Sequence, residues 1–140
     1  MSTPLSIRFP DDVAERVRSQ VATTSEPTSG LVVRLVDEGM RMAEHPGITF
    51  RDGPTGRRAG LAGGPDVWEI IAVLRDYATD NGKNAIRRTA EHLAISEVQV
   101  RVAESYFVAY PDEVNARVDL NLDAATLAGD AARRRADLRA

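Results

Sequence analysis

The segment Leu5-Ser6-Ile7-Arg8-Phe9-Pro10 constrains the fold more than any other part of the chain. Leu5, Ile7 and Phe9 fall on one side of an extended backbone and Ser6 and Arg8 on the other, because side chains alternate along a strand. A strand this short needs a neighbour to pair with, and the next residues supply none. Pro10 lacks an N–H and suits a strand end or the first turn of a helix. Asp11 and Asp12 complement the positive end of a helix, so a helix is expected from about Asp11 to Thr23. Val13, Ala14, Val17 and Val21 form its apolar stripe, with Glu15, Arg16, Arg18 and Ser19 opposite. Ser25-Glu26-Pro27 breaks it, and Thr28 or Ser29 is expected to cap a second helix reaching about Ala43. Val32, Leu35, Val36, Gly39 and Ala43 recur there at helical spacing. One strand and two amphipathic helices in about 45 residues lie near the size below which small domains rely on oligomerisation. The economical solution is an intertwined dimer whose strands pair across the symmetry axis.

The pattern from Pro4 to Glu44 resembles the ribbon-helix-helix family of bacterial DNA-binding proteins, the Arc/MetJ type. A two-stranded ribbon fits the major groove. The resemblance implies that Pro4, Ser6 and Arg8 face that groove. Arg8 is the best base reader, since its fork can bond guanine O6 and N7 together for about 1–3 kcal/mol of discrimination. Ser6 donates or accepts but discriminates little. Pro4 stands where the family usually carries a polar side chain, so little readout is expected from it. Thr28, Ser29 and Gly30 resemble the family's phosphate clamp, in which free N–H groups at a helix start meet the DNA backbone.

A chain of 140 residues fits one domain or two small ones, and 43% hydrophobic residues suffice for a core. Cysteine is absent, which excludes disulfides and cysteine-ligated metal. Nothing near the start resembles a signal peptide and no apolar run is long enough for a membrane helix, so a soluble, cytoplasmic protein is expected. The net charge of −3 argues against broad nonspecific nucleic-acid binding. The first 45 residues set Arg8, Arg16, Arg18, Arg34 and Arg41 against Asp11, Asp12, Glu15, Glu26, Asp37, Glu38 and Glu44. Any DNA affinity must therefore come from local placement of Arg8 and the helix ends, doubled by dimerisation and sensitive to salt.

His45-Pro46-Gly47 punctuates the chain. Ile48-Thr49-Phe50 then alternates as a short strand before the dense turn signal from Arg51 to Gly56, and Arg57 to Ala62 is expected to return beside it. The glycines at 56, 60, 63 and 64 lack a Gly-Lys-Ser/Thr ending, so hairpin turns and close packing explain them better than a phosphate loop. Asp66 starts a helix with Val67, Ile70, Ile71, Leu74, Tyr77 and Ala78 on one face and Trp68 beside it. Asp80-Asn81-Gly82 closes that helix. A helix over Asn84 to Leu93, a tight turn at Ala94-Ile95 and a helix from Ser96 to about Tyr110 have helix-turn-helix spacing. Small Ala90 sits at the crossing, Ser96 caps, and Val100 and Ala103 face back. The nominal recognition residues are Ser96, Glu97, Val98 and Arg101. Only Arg101 suits DNA, so packing or partner binding is the preferred reading of this pair.

From His45 to about Asn121 the chain resembles a family of small domains of unassigned function found in bacterial and archaeal antitoxins. The resemblance rests on Pro46-Gly47-Ile48-Thr49-Phe50, on the run from Arg57 to Trp68, and on Ala109-Tyr110-Pro111-Asp112-Glu113-Val114. Many members read Gly-Thr-Arg where this chain reads Arg-Arg-Ala. A ribbon-helix-helix joined to this domain resembles VapB-type antitoxins. That likeness implies a protein that binds and inhibits a toxin ribonuclease with a PIN domain and represses its own operon. The expected architecture is thus mainly α: a dimeric ribbon-helix-helix over 1–45, a hairpin plus helix-turn-helix domain over 46–121, and a flexible or partner-binding tail over 122–140.

The tail is alanine-rich and ends Arg133-Arg134-Arg135-Ala136-Asp137-Leu138-Arg139-Ala140. Leu120, Leu122, Leu127 and Leu138 can anchor a segment that stays disordered until it meets a groove. VapB-type tails insert arginine among the metal-holding carboxylates of the nuclease, and a guanidinium pairs bidentately with such groups. Leu127, Arg133, Arg134, Arg135, Leu138 and Arg139 are the candidate toxin contacts, any of the arginines being able to serve.

No catalytic constellation is legible, and an enzyme is not expected. His45 and His92 are the only histidines, and neither has metal-ligand spacing to a partner. The adjacent acids Asp11-Asp12, Asp37-Glu38 and Asp112-Glu113 diverge around their helices. No cofactor or metal is called for. The expected partners are operator DNA, the toxin and further copies of the chain. The alternative is a stand-alone ribbon-helix-helix transcriptional regulator, which would lack a neighbouring nuclease gene.

Overall fold

The computed structural model describes residues 1–80 and 82–140. The chain is mainly helical, with one small antiparallel hairpin. Among the described residues the elements run α1 Asp11–Thr23, α2 Thr28–Glu44, β1 Ile48–Arg51, β2 Arg58–Leu61, α3 Val67–Thr79, α4 Ala85–Leu93, α5 Glu97–Ala109 and α6 Pro111–Asp137. They divide into two compact units, residues 1–41 and 42–140.

In the first unit, residues 1–10 form no strand within the single chain. Leu5, Ile7 and Phe9 are 82%, 63% and 42% exposed. The expected strand has nothing in its own chain to bond to. Pro10 precedes α1 with extended ψ, and its carbonyl accepts the first helical bond from the Ala14 N–H. No residue of α1 is buried. On α2 only Leu31 and Glu38 are buried, whereas Leu35, Val36 and Gly39 of the expected apolar stripe stay exposed. Glu38 tolerates burial because Arg34 bridges it to Glu26.

The second unit has a real core. β1 and β2 pair antiparallel with Ile48 opposite Leu61, Thr49 opposite Gly60, Phe50 opposite Ala59 and Arg51 opposite Arg58. Ile48, Ala59 and Leu61 face inward and join Val67, Ile70, Ile71, Val100, Ala103 and Tyr106. Thr49, Gly60 and the two arginines take the other face, and the Arg51 guanidinium occupies the space that a Cβ on Gly60 would need.

α3 closes at Asp80. Asn81, read as part of its stop signal, lies outside the described residues. Asn84 and Ala94 both adopt left-handed backbone, with φ of 61° and 54°, at the two ends of α4. Ser96 caps α5 through a capping box with Gln99. Ala90, Val100 and Ala103 are buried where these helices meet. α6 begins at Pro111, buries Val114 and Val118, and runs without a break past Asn121 to Asp137. The segment read as a tail is thus helical, and nearly all of its side chains are exposed.

Candidate DNA-facing and partner-facing sites

The first site is built on the N-terminal unit. Pro4, Ser6 and Arg8 are exposed in the segment before α1, and among the described residues Arg8 has no ion pair. Thr28, Ser29 and Gly30 are the first three residues of α2. Leu31 N–H bonds to the Pro27 carbonyl at 3.0 Å, so Pro27 holds the cap position. The expectation that Thr28 or Ser29 caps the helix is therefore corrected: both lie inside its first turn. N–H groups there have no intrahelical acceptor, and no acidic residue occupies that turn. An anion would be favoured at such an end.

The turn leading into α2 is held by charge. Arg34 donates from Nε to both oxygens of Glu26 at 3.2 Å and from Nη2 to Oε2 at 2.9 Å. Its Nη1 reaches Glu38 at 3.2 Å. The hydrogen bond to Glu26 is the main cause that raises the Arg34 pKa, outweighing the burial that opposes it. Beside α1, Val13, Val17 and Leu35 line an open groove of about 830 Å³ rimmed by Asp12, Arg16 and Gln20. Among the described residues nothing fills it.

The second site lies on the distal part of α6. Leu127 and Leu138 are among the most exposed large apolar side chains. Arg133 is paired with Asp130, whereas Arg134, Arg135 and Arg139 are exposed and make no ion pair among the described residues. Arg134 and Arg135 fall in the last turn, where positive charge complements the helix dipole.

In the α4–α5 pair several polar groups engage one another within the fold. Arg101 is drawn to Glu97 at 3.6 Å, and Gln99 is engaged in the cap. Arg88 stacks over Tyr77 at 4.2 Å and approaches Asp80 at 3.4 Å. Each histidine lies beside tyrosine rings, His45 half-buried and His92 exposed. His92 Nδ1 lies 2.9 Å from the Tyr77 hydroxyl, and His45 meets Tyr106 and Tyr110 edge-on at 5.5 and 6.0 Å. Among the described residues no cluster of three or more acids and histidines is placed to hold a metal ion.

Sequence reasoning missed one polar cluster. Asp66, at the start of α3, does not cap its helix. Its carboxylate accepts from Arg58 Nε and from the Trp68 indole N–H at 3.2 Å, with Arg51 Nε at 3.3 Å. Arg51 also donates to the Leu61 carbonyl at 2.8 Å. The hairpin is thereby pinned to α3. Arg117 of α6 adds a strap, donating to the Thr55 carbonyl at 2.7 Å, to its hydroxyl at 3.0 Å and to the Arg57 carbonyl at 2.8 Å. Gly60 opposite Thr49 was the signal: a glycine inside a strand marks close approach of another group.

Searches against known protein families, curated proteins and solved structures found no match.

Proposed function

We propose that the chain is a DNA-binding homodimer, or a higher oligomer of such dimers, that represses its own operon and inhibits a PIN-domain ribonuclease, in the manner of a VapB-type antitoxin. One observation carries the reading: a unit of 41 residues buries a single apolar side chain, Leu31, while Leu5, Ile7, Phe9, Val33, Leu35, Val36 and Met40 stay exposed. A domain of about this size without disulfide or metal needs a partner copy to close its core. Pairing residues 5–9 with the same residues of a second copy satisfies their backbone and turns Leu5, Ile7 and Phe9 onto the helices. Ser6 and Arg8 then form the outer face, and the start of α2 takes a phosphate. The exposed distal half of α6, with its leucines and arginines, supports a protein partner rather than a stand-alone regulator.

The test is a gel-shift titration of the full chain on DNA upstream of its own gene, at matched salt. Arg8→Ala should remove at least tenfold of the preference for that DNA over random sequence, each lost guanine contact being worth about 1–3 kcal/mol. The variant should keep the oligomeric state of the parent. Unchanged preference would take the N-terminal segment out of DNA reading.

A further inference from the structure

The Arg117 strap ties α6 to the hairpin with a charged group, yet every acceptor it meets is neutral. The guanidinium donates to the Thr55 carbonyl and hydroxyl and to the Arg57 carbonyl, and among the described residues no carboxylate pairs with it. Nη1 uses both of its N–H groups on Thr55, which leaves Nε–H and one N–H of Nη2 available. The three bonds fix the fork, half-buried, beneath Gly56, where φ is +109° and a Cβ would stand 3.0 Å from Nη2. Its charge is partly desolvated there, with no counter-ion to offset the cost.

Arg117 lines a cavity of about 270 Å³ between β2, α3 and α6, together with Arg58, Trp68, Val67, Val114 and Glu113. It is smaller than the pockets that hold drug-sized ligands, so its occupant is small. The charges around it do not balance. Arg58 and Arg51 share Asp66, Arg57 pairs with Asp52, and Glu113 accepts from the Tyr106 hydroxyl at 2.6 Å. Arg51, Arg57, Arg58 and Arg117 thus stand against Asp52, Asp66 and Glu113, and one positive charge is left over. A monoanion matches it, whereas a second negative charge would face the Glu113 carboxylate. We infer that the cavity is a binding site for a small organic monocarboxylate. The ligand's carboxylate accepts from the Nε–H and Nη2–H that Arg117 has left, as a guanidinium fork allows. Its apolar body packs on Trp68 and Val114.

The probe is sodium benzoate, titrated at constant ionic strength into the full-length, isotope-labelled chain and followed by NMR. Trp68 is the only tryptophan, so its indole N–H gives a single side-chain resonance beside the cavity. Benzoate should shift that resonance saturably, with a Kd on the order of 1 mM for so small a ligand. Benzamide, of the same shape but uncharged, should bind at least roughly tenfold more weakly, and so should inorganic phosphate, which is largely dianionic above neutral pH. Arg117→Met should weaken benzoate at least roughly tenfold. Because that change also removes the strap, Glu113→Gln supplies a second arm: it keeps an acceptor for Tyr106, removes the negative charge, and should tighten phosphate at least about threefold. A response to benzoate that never saturates, benzamide binding as well as benzoate, or undiminished affinity in a folded Arg117→Met chain would each overturn the assignment. So would a Glu113→Gln chain that still discriminates between benzoate and phosphate as the parent does.

Discussion

Replacing Asp66 with Ala should be a strongly destabilising change in the second unit. The Asp66 side chain is 7% exposed, against 33% for Arg51 and 21% for Arg58. Two guanidiniums thus share one buried carboxylate. Breaking a buried pair by removing one partner costs about 3–5 kcal/mol, because the remaining charge is left uncompensated. Both arginines reach water in part, which brings the expected loss down to roughly 2–3 kcal/mol. For a domain of this size that is a fall of roughly 10–20 °C in Tm. Among the described residues Arg58 Nη1 already lacks a hydrogen-bond partner, and Arg51 Nε meets Asp66 only as an ion pair at 3.3 Å. Trp68 is the only tryptophan and its indole N–H bonds to Asp66, so urea unfolding followed by its fluorescence reports on this site. The combined change Arg51→Met, Arg58→Met and Asp66→Leu should recover most of the loss, since an apolar replacement carries no buried charge. An Asp66→Ala variant within about 0.5 kcal/mol of the parent would refute the argument that the hairpin is pinned by charge.

Two further changes probe the backbone. Ala94→Gly should stabilise the second unit by about 1 kcal/mol in the same urea assay, because the left-handed conformation at φ 54° penalises a Cβ. Gly60→Ala should destabilise by displacing the Arg51 guanidinium from above β2. Its effect should fail to add to that of Asp66→Ala, since both act on the same ion pair; full additivity in a double-mutant cycle would show that Gly60 serves another purpose.

Much of the second unit was legible in the sequence because its signals are local. The turn signal from Arg51 to Gly56, of which β1 takes Arg51, the Ser96 cap and the apolar periodicity of α3 each act within a few residues. The Asp66 cluster was not legible, since two arginines on a hairpin and an acid before a helix look like surface charge until the strands pair in register. α6 is not legible as one helix, because the apolar content thins after the expected domain limit near Asn121 and the residues beyond read as a tail. Alanine and the complementary charges of the last turn carry the helix on to Asp137. In the first unit the alternation of Leu5, Ile7 and Phe9 raises the expectation of a strand, and residues 1–10 form none in the single chain. A strand is a relation between two chain segments, and the single chain provides only one of them.

The measurement that bears most directly on the proposed dimer is amide hydrogen exchange over residues 5–9, followed by NMR across protein concentrations. Cross-strand pairing with a second copy predicts alternately protected amides at high concentration, lost on dilution and absent in Ile7→Asp. Free exchange of every one of these amides, in a chain that sediments as a monomer at all concentrations, would contradict it.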